Sequence, residues 1–389
     1  MKKLLMFVVL FAFVLGSMAS ASENRVYTMG DANNIVKDEY NIWMYPSTIN
    51  QYPRLLTMCI DGDIDQMGAH FQFGQDTENP WVLGAYFEDG YYWPDILDDV
   101  YYGDGFYYLE DNRRISLFYG RNLGEMPFGF TLDIIHSSTS YEAPDDNPEA
   151  GLSKYTIGFG FSPMEGKAEI GIGFSMMSWT DKDGDGVDNT KPSGNMEFMA
   201  TGRYWMEGSG KYTWVPHAAL WYEKQGREDY TDGVLDGEET NTEMAFDLGC
   251  GMNYEADEDI LAIADMGFQF WNEKGEWTPA TGDAVENKES NIALPYFRIG
   301  LDAKVFKWLD VRAGTYSTWD RWKEEDVADE TTDKHNSVDT DLFLGIGLHW
   351  GNLEIDGEMD PDFVEDGPYF LSGEYEDMFY SVSVTYWLD

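Results

Sequence analysis

The sequence is short of several things, and each shortage removes a class of protein. It has 2 cysteines, Cys59 and Cys250, too few for a disulfide scaffold or a cysteine-rich metal centre. Its 25 Lys+Arg stand against 72 Asp+Glu, a formal charge of −47. Such a charge repels phosphate backbones, so nucleic acid is not a partner to expect. Beyond the first segment no run approaches the ~18 consecutive apolar residues that a membrane-spanning helix requires. The 5 histidines (His70, His136, His217, His335 and His349) are scattered, without HExxH or paired-ligand spacing. No GxSxG, Walker A or strand–GxGxxG–helix context occurs, so the chain reads as a non-enzyme.

What it has instead is aromatic residues and glycine: 14 Trp, 25 Tyr, 23 Phe and 40 Gly. That aromatic content is the opposite of a disordered composition. Residues 1–21 read as a signal peptide. Lys2 and Lys3 form a positive start, Leu4 to Leu15 an apolar stretch, and Ala19-Ser20-Ala21 offers small residues for cleavage. The protein is expected to be exported.

Downstream the pattern repeats every two residues. Tyr155, Ile157, Phe159 and Phe161 share one face, opposite Thr156, Gly158, Gly160 and Ser162. Ile170, Ile172, Phe174 and Met176 oppose Glu169, Gly171, Gly173 and Ser175. Met244, Phe246, Leu248, Cys250 and Met252 oppose Glu243, Asp247, Gly249 and Gly251, and Tyr380, Val382, Val384 and Tyr386 close the series. A soluble sandwich alternates too, but three features favour a membrane barrel. Segments run near the ~10 residues that cross a bilayer at a tilt. Trp179, Trp205, Trp214, Tyr222, Trp271, Trp319 and Trp350 stand at segment ends, where an interfacial girdle belongs. Connections alternate between short turns and long acidic stretches at about 139–152, 180–194, 225–241, 273–289, 320–338 and 357–374.

The expectation is an all-β, transmembrane antiparallel β-barrel over residues 53–389, lying in the bacterial outer membrane. It has about 14 strands, or 16 if the stretches 54–60 and 66–74 add a hairpin, with short periplasmic turns and long acidic outer loops. Parity points Asp133, Glu169, Glu197, Arg203, His217, Glu223, Glu243, Asp247, Asp265, Arg298, Asp302, Asp310 and Arg312 into the lumen. Acids outnumber arginines there, so a water-filled pore would lean towards cations unless the charges pair with one another. Cys250 falls on the lipid-facing parity, and both cysteines read as small apolar residues.

Residues 22–52 precede the strands as a plug or a periplasmic tail. Gly30 permits a tight backbone, and Pro46 is expected to end any helix begun at Ala32. Met29-Gly30-x-Ala32, the acidic pair Asp38-Glu39, and Tyr45-Pro46-Ser47 together resemble the N-terminal signature of the FadL-type outer-membrane transporter superfamily. That superfamily includes PorV-like barrels that serve secretion. Asp31, Tyr45 and Ser47 depart from the usual pattern. The resemblance implies a lumenal plug that gates a path for hydrophobic compounds, or an adaptor barrel that holds a partner protein.

Residues 181–189 read DKDGDGVDN. Asp181, Asp183 and Asp185 followed by Gly186, with Asp188 and Asn189 beyond, have the spacing of a calcium loop, although Pro192 stands where a bidentate glutamate is usual. The alternative is a solvated acidic loop. No other cofactor is indicated. The expected function is a porin-like channel or transporter for small solutes, with FadL-like hydrophobic uptake and a PorV-like adaptor as alternatives. Its surroundings are outer-membrane lipid and lipopolysaccharide.

Overall fold

A computed structural model describes residues 21–61, 63–75, 77, 79–89, 113–140, 149–182, 188–208, 210–231, 233–326, 331–360 and 378–388. Residues 1–20 of the expected signal segment therefore lie outside the described residues. A short helix α1 (Ala21–Tyr27) and two 3-10 turns (Glu39–Trp43 and Pro46–Gln51) come first. Eighteen strands follow: β1 (Leu55–Asp61), β2 (Asp63–Phe73), β3 (Trp81–Asp89), β4 (Arg113–Leu123), β5 (Met126–Ser140), β6 (Glu149–Phe161), β7 (Ala168–Lys182), β8 (Asp188–Pro192), β9 (Met196–Tyr204), β10 (Met206–Glu207), β11 (Tyr212–Thr231), β12 (Val234–Asp257), β13 (Ile260–Pro279), β14 (Val285–Phe306), β15 (Leu309–Asp326), β16 (Thr331–Trp350), β17 (Leu353–Met359) and β18 (Phe379–Trp387).

All of them form one antiparallel sheet, and β1 pairs with β18 as well as with β2, so the sheet closes. The pieces β8, β9 and β10 share one place in the wall, since β11 pairs with each of them. The barrel therefore has 16 wall positions, the larger of the two expected counts. The added pair is β1 and β2, over the hairpin that the stretches 54–60 and 66–74 suggested.

Closure follows from the solvent on each side. Phe71, Leu83, Leu117, Ile157, Ile172, Phe174, Leu248 and Ile299 point outward and are exposed, while their sequence neighbours face in and are covered. An apolar belt around a barrel with no open edge is the architecture of outer-membrane barrels, because hydrocarbon tolerates neither unpaired backbone nor inward-turned grease. Among the described residues, no helix is long and apolar enough to cross a membrane.

Two expectations about the wall are corrected. Residues 225–241, 273–289 and 320–338 are not long loops, since the strands continue through most of each stretch. β12 alone has 24 residues, whereas β1 and β17 have 7. At ~3.3 Å per residue and a ~40° tilt, β12 rises about 60 Å, twice the hydrocarbon thickness. Outside the membrane both faces meet water, so alternation vanishes while the backbone ladder persists. The second correction concerns the girdle. Trp179 and Trp205 are buried and Trp271 shares the inner face with Glu243, so these three belong to the interior; Trp214, Trp319 and Trp350 stand exposed on the outside.

Candidate functional site

The lumen is occupied. Residues 24–51 pack against the inner wall, and Met29, Ala32, Ile35, Ile42, Tyr45 and Ile49 are each 0% exposed. Val26, Met29, Ala32, Ile35 and Val36 form an apolar core with Trp205, Val215 and Ile263 of the wall. Ile42 and Ile49 form another with Val82, Tyr86 and Phe118. Burial of this kind stabilises a docked segment by roughly 1.5–3 kcal/mol per large side chain.

The chain folds this way locally for identifiable reasons. Asp38 caps the first 3-10 turn: its carboxylate accepts from the Tyr40 N–H at 3.1 Å, while Asn41 Oδ1 accepts from the Asp38 N–H at 3.0 Å. Pro46 opens the second turn rather than ending a helix begun at Ala32. Its missing N–H costs nothing at a first helical position.

Glycine makes the room. The inward glycines of β5, β6, β7, β12, β14, β15 and β16 lie against the segment's backbone and side chains. A Cβ on Gly129 would stand 2.0 Å from the Pro46 oxygen, and one on Gly314 would stand 2.2 Å from the Gly30 nitrogen. Gly30 itself has φ +87°, a conformation that only glycine adopts freely, beside Thr315 and Arg298.

Charge then fixes the segment. Arg203 of β9 holds Glu169 of β7 at 2.5 Å. The same guanidinium donates to the Asn33 carbonyl at 2.7 Å, the Val36 carbonyl at 3.0 Å and Asn41 Oδ1 at 2.6 Å. It also lies over the Tyr45 ring at 4.4 Å. One buried cation therefore ties the wall to three places on the plug. Arg298 bridges Asp265 at 3.1 Å and Asp31 at 3.6 Å, and Arg25 of the plug bridges Asp38 and Asp302, both at 3.2 Å. Arg312 meets Asp302 at 3.2 Å and Asp310 at 3.8 Å, with Asp356 closer still. His217 sits between Asp265 and Asp247 at 3.2 and 3.4 Å. Within the plug, burial first and then Asp38 and Glu354 push the Glu39 carboxyl well up, against the hydrogen bond from Thr385.

The lumenal residues expected from parity thus divide into two groups. Glu169, Arg203, His217, Asp247, Asp265, Arg298, Asp302, Asp310 and Arg312 form the ion-pair network around the plug, and Asp133 pairs with Arg114 at 3.4 Å. Glu197, Glu223 and Glu243 stand higher in the wall, where Glu197 meets Lys154 at 2.7 Å. Arg114, Lys154 and Asp356 were missed, although the same inward parity would have marked them. The plug ligands Arg25 and Asn41 had no signal, because an irregular segment has no parity. Of the expected plug motif, Met29, Ala32, Asp38, Glu39 and Pro46 are all buried in the lumen.

Among the described residues, two of the cavities that border the plug are of similar size. One, of about 420 Å³, opens on the outer side among Tyr27, Tyr40, Trp43, Tyr380, Arg114 and Glu88. The other, of about 460 Å³, lies at the periplasmic end among Lys37, Lys167, Trp205 and Leu261. Cys59 lines the outer cavity, whereas Cys250 is exposed on the opposite face of the wall, so the two cannot bond. Of the proposed calcium loop, Asp183 and Asp185 lie outside the described residues, as does the Asp188 side chain. Asp181 accepts from Asn189 at 3.3 Å and from Thr190 at 3.4 Å. Among the described residues no group of carboxylates, histidines or cysteines is arranged to hold a metal.

No protein-family model and no curated protein matches the chain. Among solved structures it is similar to the alcaligin outer-membrane receptor FauA of Bordetella pertussis, with a TM-score of 0.42, 9% identity, and 78% of this chain covering 59% of that one. The ferric preacinetobactin receptor BauA of Acinetobacter baumannii gives a TM-score of 0.43 and 12% identity, with 78% of this chain covering 53% of the receptor. CdiB of Escherichia coli gives 0.38 and 9%, with 86% covering 63%. The chain spans little more than half the length of these proteins, and likeness at this level says nothing of cargo.

Proposed function

We propose that this protein is a gated uptake barrel of the outer membrane, with residues 24–51 as its gate. The observation that carries this reading is the plug itself, buried to 0% exposure at six apolar positions and tied to Arg203. A permanently open, cation-selective pore fits less well. Glu169, Asp265, Asp302, Asp310 and Asp356 at plug level are paired with Arg25, Arg203, Arg298 and Arg312 and do not set a free lumenal potential.

The outer cavity supports a solute that is part apolar and part polar. Its walls combine the rings of Tyr27, Tyr40, Trp43 and Tyr380 with Arg114 and Glu88. This is the hydrophobic-uptake reading, with the cavity as the capture point and plug movement as the passage step. The test is conductance of the purified chain in a planar bilayer. Wild type is expected to show brief or no openings, and a chain lacking residues 24–51 is expected to conduct steadily. Large, steady wild-type conductance would overturn the gated reading.

A further inference from the structure

Above the apolar belt, the wall from β11 to β16 gathers bases on its outer face. On the inner side Glu223, Glu243, Glu273, Glu289 and Glu324 stand directly opposite one another in succession across five strands. On the outer side at the same height stand six bases, Lys224, Lys274, Lys288, Arg321, Lys323 and Lys334, with three acids, Glu276, Glu286 and Glu325. In a chain of 72 acids and 25 bases, an outward arc with twice as many bases as acids runs against the composition. Six bases gathered on one outward arc need a reason of their own.

Their height supplies it. Each follows the last outward apolar residue of its strand by two or four positions: Tyr222 before Lys224, Phe270 before Lys274, Ile292 before Lys288, Trp319 before Arg321 and Lys323, and Val338 before Lys334. At ~3.3 Å per residue and a ~40° tilt this is about 5–10 Å above the hydrocarbon, the depth of a lipid head-group layer. Leu55 pairs with Trp387 at the opposite end of the barrel, where both chain ends lie, so the collar faces the outer leaflet.

The register also crowds the bases together. Lys274 stands opposite Lys288, and Lys323 opposite Lys334. Like charges placed directly across a ladder destabilise it unless a counter-charge lies between them. Glu276 and Glu286 serve Lys274 at 2.7 and 2.9 Å, Glu286 serves Lys288 at 2.8 Å, and Glu325 serves Lys323, yet these three lysine side chains remain 36%, 40% and 41% exposed. Lys224, Arg321 and Lys334 form no ion pair among the described residues. The collar therefore keeps positive charge in excess of its own carboxylates.

We propose that this collar binds the phosphorylated sugar head group of an outer-leaflet glycolipid. The phosphates lie between the lysines, and the acyl chains lie on the apolar belt below. The test uses the purified full-length chain in neutral detergent, with bisphosphorylated lipid A and its dephosphorylated form as probes. Wild type is expected to bind the phosphorylated form at least tenfold more tightly, with the preference falling as salt rises. A Lys288→Gln/Lys323→Gln/Lys334→Gln variant is expected to lose that preference while keeping the heat-modifiable gel migration of a folded barrel. Equal binding of the two lipids, or an unchanged preference in the folded variant, overturns the proposal. Competition by inorganic phosphate alone at the same concentration as the lipid also overturns it, since the site would then be a simple anion site.

Discussion

Replacing Arg203 by alanine should open the barrel. Its guanidinium makes three hydrogen bonds to the plug, at 2.6–3.0 Å, and one ion pair to Glu169 within the wall. A charge-assisted hydrogen bond contributes ~1.5–3 kcal/mol, and because all three bonds share one group the lower value is appropriate, giving about 4.5 kcal/mol. At 1.4 kcal/mol per decade, the docked-to-released ratio of residues 24–51 falls by roughly a thousand. Glu169 is left buried without its cation, which lowers the ratio further. Arg203→Lys keeps the charge but not the fork, so it should fall between the two. The first assay is planar-bilayer conductance, where the alanine variant should show long openings that wild type lacks. The second is hydrogen exchange, where amides of residues 24–51 should lose protection while those of β7 and β9 keep it. If Arg203→Ala conducts like wild type and residues 24–51 stay protected, the guanidinium does not hold the plug.

Three further outcomes follow from the same geometry. Gly129→Val and Gly314→Val place side-chain atoms where the plug backbone lies, at 2.0 and 2.2 Å already for a Cβ. Each should expose residues 24–51 to protease without altering heat-modifiable migration. The Glu39 carboxyl is raised by burial and by Asp38, so its ionisation opposes docking; plug protection should be greatest near the ordinary glutamate pKa and fall as pH rises through the raised value. Glu39→Gln should flatten that slope and increase protection at pH ~8, and hydrogen exchange at acid and alkaline pH measures both. Ile172→Arg puts a charge on the lipid face of β7, at a cost of ~2–4 kcal/mol near the bilayer centre. It should reduce the heat-modifiable fraction in membrane extracts, whereas Ile172→Val should not.

The barrel was legible because lipid and lumen impose different chemistry on alternate residues. Wherever both contacts exist, as at Ile170 to Met176, the faces can be read from one strand alone. Where both sides meet water, as at residues 225–241, that contrast is lost and paired strand reads as loop. The tryptophans show the limit of position without parity: Trp179 and Trp205 stand near strand ends but turn inward.

By itself, then, the sequence determined an antiparallel barrel, its belt, and most of the charges that line its interior. A two-residue period is local and survives in any short window. Only the tertiary structure decided that the lumen is filled, and by which contacts. Arg203 meets Asn33, Val36 and Asn41 across more than 160 positions of chain, and Gly314 meets Gly30 because closure and stagger bring β15 to the plug. Closing the sheet sets which inward positions lie at one height, and no single strand carries that information. The acids that looked like the lining of an open channel are, around the plug, the partners of arginines and of His217.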